Sequence, residues 1–117
     1  MMQHESRAVV AAAAYAVSTG NQVSNVVDHS SGSTLMISAS CEGDEVRALD
    51  ARRGALEGKL PALFDHGGAT FIDMKRDENK ITGFHYQSVS FYQVQITGRL
   101  VEMYDFGDHS WSAFSMA

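Results

Sequence analysis

Apolar and polar positions divide the chain into two unequal parts. From Glu5 to Ser18 the sequence is rich in Ala and Val, lacks Gly and Pro, and carries no charge after Arg7. Ala is the strongest helix former. Val9, Ala13 and Ala16 fall along one helical stripe, with Val10, Ala14 and Val17 close beside it. The pattern predicts a helix over 5–19. Glu5 suits the positive end of its dipole, and Gly20 supplies a C-terminal stop. So little polarity is unsuited to a helix lying in water. Cover on more than one side is expected, from its own sheet or from a second copy.

After Gly20 the period changes to two. Leu35, Ile37 and Ala39 alternate with Met36 and Ser38, and Tyr92, Val94 and Ile96 alternate with Gln93, Gln95 and Thr97. Pro61 marks a strand end or an edge. Arg76-Asp77-Glu78-Asn79 reads as a polar hairpin loop. Roughly eight to ten short strands are expected at this spacing. The fold class is α+β, mainly β: an N-terminal Ala-rich helix followed by an antiparallel meander of short hairpins over 21–117, as a twisted sheet or a partly closed barrel.

One unit recurs within the meander. An apolar run stops at an Asp, a turn follows, and a second run begins. It occurs around Asp28, Asp50, Asp65 and Asp105. A carboxylate at a strand end accepts hydrogen bonds from backbone N–H groups two or three residues on, and Gly supplies the left-handed conformation that tight turns need. These Asp residues are turn-makers first. If they face solvent, the residues before them, Val27, Leu49, Phe64 and Tyr104, face the core or an interface. The other arrangement is an acidic rim at one end of the sheet.

The 117 residues suit one domain, 1–117, with one modest core. The net charge of −5, with scattered basic residues, argues against nucleic acid. Arg52-Arg53 and Lys75-Arg76 sit at predicted turns, where solvated charge is the ordinary reading. No stretch reaches the ~20 apolar residues of a membrane span. Ala8–Val17 has the length of a signal-peptide core, but His4 and Glu5 do not form a basic leader, so it is read as part of the mature fold. The single cysteine, Cys41, excludes an intrachain disulfide and suits a cytoplasmic location. Glu42, Asp44 and Glu45 beside it oppose a reactive thiolate.

Gly83-Phe84-His85-Tyr86-Gln87-Ser88, then Gly98 and Val101 to Asp105, resembles a motif of small uncharacterised bacterial β-rich proteins, Gly-aromatic-x-Tyr followed by Tyr-Asp, over residues 63–115. His85 stands where that pattern has Asp. The resemblance implies a β-rich domain and no particular activity.

Catalytic signatures are absent: no HExxH, CxxC, GxSxG or phosphate-loop pattern occurs. His29, His66 and Asp65 are the least implausible metal ligands, but their spacing fits no ligand set, and no metal or cofactor is expected. Asp65/His66 and His85/Tyr86 are adjacent on strands and so point to opposite faces. A ligand site would be drawn from Asp65, His66, His85, Tyr86, Tyr104 and Asp105, in a pocket between helix and sheet or at a subunit interface. Aromatic pairs such as Phe91-Tyr92 place rings on both faces of the sheet. The expectation is a non-enzymatic binding or interaction module that self-associates, with a further protein partner possible and with neither nucleic acid nor membrane as its target. A small-ligand binder or enzyme is the alternative.

Overall fold

The Ala-rich segment forms one helix, α1 (His4–Thr19), and every residue of it from Ser6 to Val17 is buried. The computed structural model describes residues 2–117. Eleven strands follow: β1 (Val26–Asp28), β2 (Thr34–Leu35), β3 (Ile37–Glu42), β4 (Glu45–Asp50), β5 (Gly54–Lys59), β6 (Ala62–Asp65), β7 (Thr70–Asp77), β8 (Lys80–His85), β9 (Ser90–Thr97), β10 (Leu100–Asp105) and β11 (Ser110–Met116). They form one antiparallel sheet in the order β2-β1-β11-β10-β9-β8-β7-β6-β5-β4-β3. Successive hairpins account for the meander from β3 to β11.

The two ends of this sheet meet. β2 and β3 are separated only by Met36, and Val23, just before β1, lies against Ala39 of β3. Val23 and Ala39 exchange both backbone hydrogen bonds, at 2.9 and 3.0 Å. The sheet therefore wraps into a nearly closed barrel, and α1 runs inside it, touching strands from β1 round to β11. The cover that the helix needs comes from its own sheet on every side.

Size explains the small side chains. A barrel of about eight strands is filled by side chains alone. A larger one needs further contents, and a helix fits only where its surface is Ala-like. Ala8, Ala11, Ala12, Ala13, Ala14 and Ala16 are all fully buried. Inward strand positions fill the remaining space with larger groups, among them Ile37, Leu56, Ile72, Met103 and Phe114.

The C-terminal end of the helix is satisfied by its glycine cap and by the barrel. At the C-terminus Gly20 takes a left-handed conformation, φ 73°, and its N–H donates to the Ala16 carbonyl. The Arg76 guanidinium donates to the Val17 carbonyl at 3.3 Å. It thus places a cation at the negative end of the dipole. The N-terminus points toward the opposite barrel end, where the Asp turns lie.

Tyr92 shows how tight the interior is. It is inward-facing and buried, and its hydroxyl donates to the Asp73 carbonyl at 2.6 Å. Burial pushes its hydroxyl far above the ordinary tyrosine range. Its ring crosses the neighbouring strand at Gly83, where a Cβ would collide with the Asp73 carbonyl and the Tyr92 ring. Gly83→Ala is therefore expected to destabilise the fold by about 2–3 kcal/mol through overpacking. Urea denaturation checks this, and a loss below about 0.5 kcal/mol would show that the ring does not cross there.

Candidate functional site

Alternation along each strand decides which residues of the turn end face the lumen. Asp28, Asp50, Asp65, His85 and Asp105 are all buried. The residues before them, Val27, Leu49, Phe64, Phe84 and Tyr104, are half-buried or exposed. This reverses the solvent-facing arrangement of the Asp turns: the carboxylates point into the barrel and their apolar neighbours point out.

Each inward group caps its own turn. Asp28 Oδ1 accepts from the Ser30 amide at 2.9 Å, Asp50 Oδ1 from Arg52 at 2.9 Å, Asp65 Oδ1 from Gly67 at 3.1 Å and Asp105 Oδ1 from Gly107 at 2.7 Å. His85 does the same with imidazole, its Nδ1 lying 3.3 Å from the Ser88 amide. It is a fifth copy of the turn. Across the hairpin from Asp50, Asp65, His85 and Asp105 stand Gly54, Thr70, Ser90 and Ser110, small or hydroxylic residues that leave room for the caps.

Cations of the helix and of one turn neutralise this polar end. Arg7 donates through Nη2 to Asp105 Oδ2 at 3.0 Å, through Nη1 to Ser110 and Ser112, and through Nε to the Met2 carbonyl. Asp105 also accepts from the Met2 amide at 2.8 Å. Arg53 Nη2 lies 3.6 Å from Asp65 Oδ2 and donates to Ser6 Oγ at 3.2 Å. The Arg53 side chain is only 15% exposed, which corrects the reading of Arg52-Arg53 as a pair of solvated turn charges. No sequence pattern marks Arg7 or Arg53. Their partners are set by the helix lying in the lumen.

His4, Asp28 and Ser30 form a compact group that resembles a nucleophilic relay in composition alone. Both Asp28 and Ser30 approach the same imidazole nitrogen, His4 Nε2, and Ser30 Oγ donates to Asp28 Oδ1. A relay needs acid and hydroxyl on opposite nitrogens. This group caps the β1–β2 turn instead. An opening of about 560 Å³ lies beside it, bordered by His4, Asp28, Met36 and Arg52. No group of three or more metal-ligating side chains occurs among the described residues.

The six candidate ligand residues divide between the two faces of the sheet. Asp65, His85 and Asp105 lie inside the barrel; His66, Tyr86 and Tyr104 lie outside. The inner three belong to the capping ring. The outer three belong to a collar of rings that repeats every twenty residues. Phe64, His66 and Phe71 form its first cluster; Phe84, Tyr86 and Phe91 its second; Tyr104, Phe106 and Trp111 its third. Ring centroids within each cluster are 4.7–5.0 Å apart, mostly edge to face. Grooves join the clusters. One of about 460 Å³ runs between Phe71 and Tyr86, and one of about 480 Å³ between Phe91 and Phe106. Phe71, Phe91 and Trp111 are 59%, 64% and 56% exposed, as large apolar groups seldom are.

The twenty-residue period was present in the sequence. The spacing of the earlier Asp turns, 28 to 50 and 50 to 65, differs from it, and His85 interrupts the Asp series. No helix among the described residues is long and apolar enough to cross a membrane. No protein-family model, curated protein or solved structure matches the chain.

The Arg7–Asp105 pair is the most deeply buried charge contact here, with 8% and 0% side-chain exposure. Arg7→Met removes one partner and leaves the other as an uncompensated charge, for an expected loss of about 3–5 kcal/mol. Adding Asp105→Asn, which retains an oxygen to cap Gly107, is expected to restore part of that loss. Chemical denaturation of the two single variants and the double variant checks this; additive losses would contradict the pairing.

Proposed function

We propose that the protein is a non-enzymatic interaction module that self-associates through the aromatic collar, the second copy presenting the same collar. The observation that carries this reading is the exposure of five large rings, Phe71, Tyr86, Phe91, Phe106 and Trp111, on one continuous outer band. At half their full area these rings alone expose roughly 500 Å². That is near the upper end of the largest patch a monomer usually carries, about 300–600 Å². With Val89, 75% exposed in the turn between Tyr86 and Phe91, the band extends toward the ~800 Å² per partner of a stable protein contact.

Several features favour a second copy over a different partner. Eight of the nine collar rings are phenyl, phenol or indole groups and the ninth is the His66 imidazole, so an oppositely charged partner would find little to pair with. An apolar band is complementary to itself, and a two-fold axis needs only one surface. The alternative, a ligand pocket between helix and sheet, is disfavoured because the opening beside His4 gathers none of the six candidate ligand residues and the inward capping groups are committed to turn amides. The single Cys41, which leaves no intrachain disulfide, remains consistent with a reducing, cytoplasmic setting.

Sedimentation velocity tests the reading. At about 100 μM, where an association of about −8 kcal/mol is largely complete, the protein is expected to sediment as a dimer or larger closed assembly. Phe71→Gln combined with Phe91→Gln is expected to shift it to monomer with an unchanged circular dichroism spectrum. A wild-type monomer at that concentration would overturn the proposal.

A further inference from the structure

Four of the five turns at the polar end are capped by carboxylates, and one by an imidazole. The difference matters because the two acceptors lose their lone pairs in different pH ranges. A carboxylate caps until it is protonated near pH 4, while an ordinary imidazole takes a proton near pH 6.5. At the fifth turn, the bond from the Ser88 amide to His85 Nδ1 requires Nδ1 to be unprotonated. The neutral ring must therefore carry its proton on Nε2. That nitrogen is buried and has no hydrogen-bond partner among the described residues. A proton added to the ring can go only to Nδ1, the capping atom.

We propose that His85 makes the Tyr86–Val89 turn a pH-responsive element: protonation at Nδ1 ends the cap on the Ser88 amide and loosens this turn, while the four Asp-capped turns hold. Once protonated, Nδ1 becomes a donor toward Ser88 Oγ, now 2.7 Å away. The Ser88 backbone N–H then faces a donor at Nδ1. The turn is one where local loosening costs little, since Tyr86 and Val89 are 48% and 75% exposed.

The surroundings set the pH range. Burial holds the His85 ring below the ordinary imidazole value; the carboxylates of Asp65 on β6 and Asp105 on β10 oppose that effect, and the Arg53 guanidinium from the β4–β5 turn adds to it. Arg7 of α1 is itself bound to Asp105, which offsets that carboxylate. A folded-state value below the unfolded one means that the unfolded chain takes the proton first. The stability from the neutral ring is complete above about pH 6.5 and declines as pH falls below it. The proposal does not depend on self-association, although the turn contributes Tyr86 and Val89 to the collar.

Amide hydrogen exchange by NMR on the full chain tests it, at pH 7.5 and at one pH unit below the midpoint that the His85 ring shows in its own NMR titration, after correction for intrinsic rates. The Asp-capped amides of Gly67 and Gly107 serve as internal references. One pH unit below its midpoint, the capped form falls to about a tenth. Ser88 is therefore expected to lose roughly tenfold more protection than Gly67 and Gly107 in the wild type. In His85→Asn, whose side-chain oxygen accepts without titrating, the three amides should change together. A Ser88 amide that tracks the two references in the wild type would overturn the proposal, as would an equal loss in the Asn variant. Should that variant fail to fold, the wild type alone decides. The Ser88 amide shift must titrate with the His85 ring, and a Ser88 shift with a different midpoint, or none, refutes the link.

Discussion

The structure depends on enclosing a helix that water cannot serve. Twelve consecutive residues of α1 are buried, and most are Ala or Val. No face of the helix is polar enough to be left outside, so the sheet must surround it. That requirement sets the number of strands, since a smaller barrel has no room. It also sets the closure, since an open sheet would leave one side of the helix wet. The Val23–Ala39 bridge, which joins the two ends of the sheet, follows from the same need.

Enclosure then dictates where polarity goes. A helix within a barrel presents an unsatisfied, positively polarised N-terminus to one end of the lumen. The inward carboxylates gather at that end, and Arg7 and Arg53 balance them. Each carboxylate caps a turn with one oxygen, and in Asp105 the other oxygen receives the helix cation and the Met2 amide. Turn-making and charge compensation thus share the same residues. His85 enters the set as an isolated neutral member, able to cap only in its unprotonated form.

Local features were legible in the sequence and their directions were not. The Ala run and Gly20 locate a helix over 5–19, against His4–Thr19 in the structure. Asp28, Asp50, Asp65 and Asp105 locate hairpin bends. Alternation showed that Asp65 and His66 lie on opposite faces, yet it could not say which face is the lumen. That depends on Arg7, far away in sequence from the Asp105 it meets. An inward Asp is costly without such a partner, so from the sequence alone the outward arrangement was the natural reading. The collar was half visible. The aromatic residues were evident, but their order into three stacked clusters emerged only when hairpins of equal length were laid side by side.

Inside and outside consequently have separate roles. The lumen is committed to holding the fold together, and the exposed chemistry is displaced to the outer rings. The central claim is that α1 lies wholly within the barrel, and hydrogen exchange of the helix amides tests it most directly. If the helix is enclosed, the amides of Ala8 to Val17 exchange only through global unfolding, with a protection free energy equal to the full stability, on the order of 5–15 kcal/mol. Exchange of these amides through low-energy local openings, faster than that of the central strands β8 and β9, would contradict it.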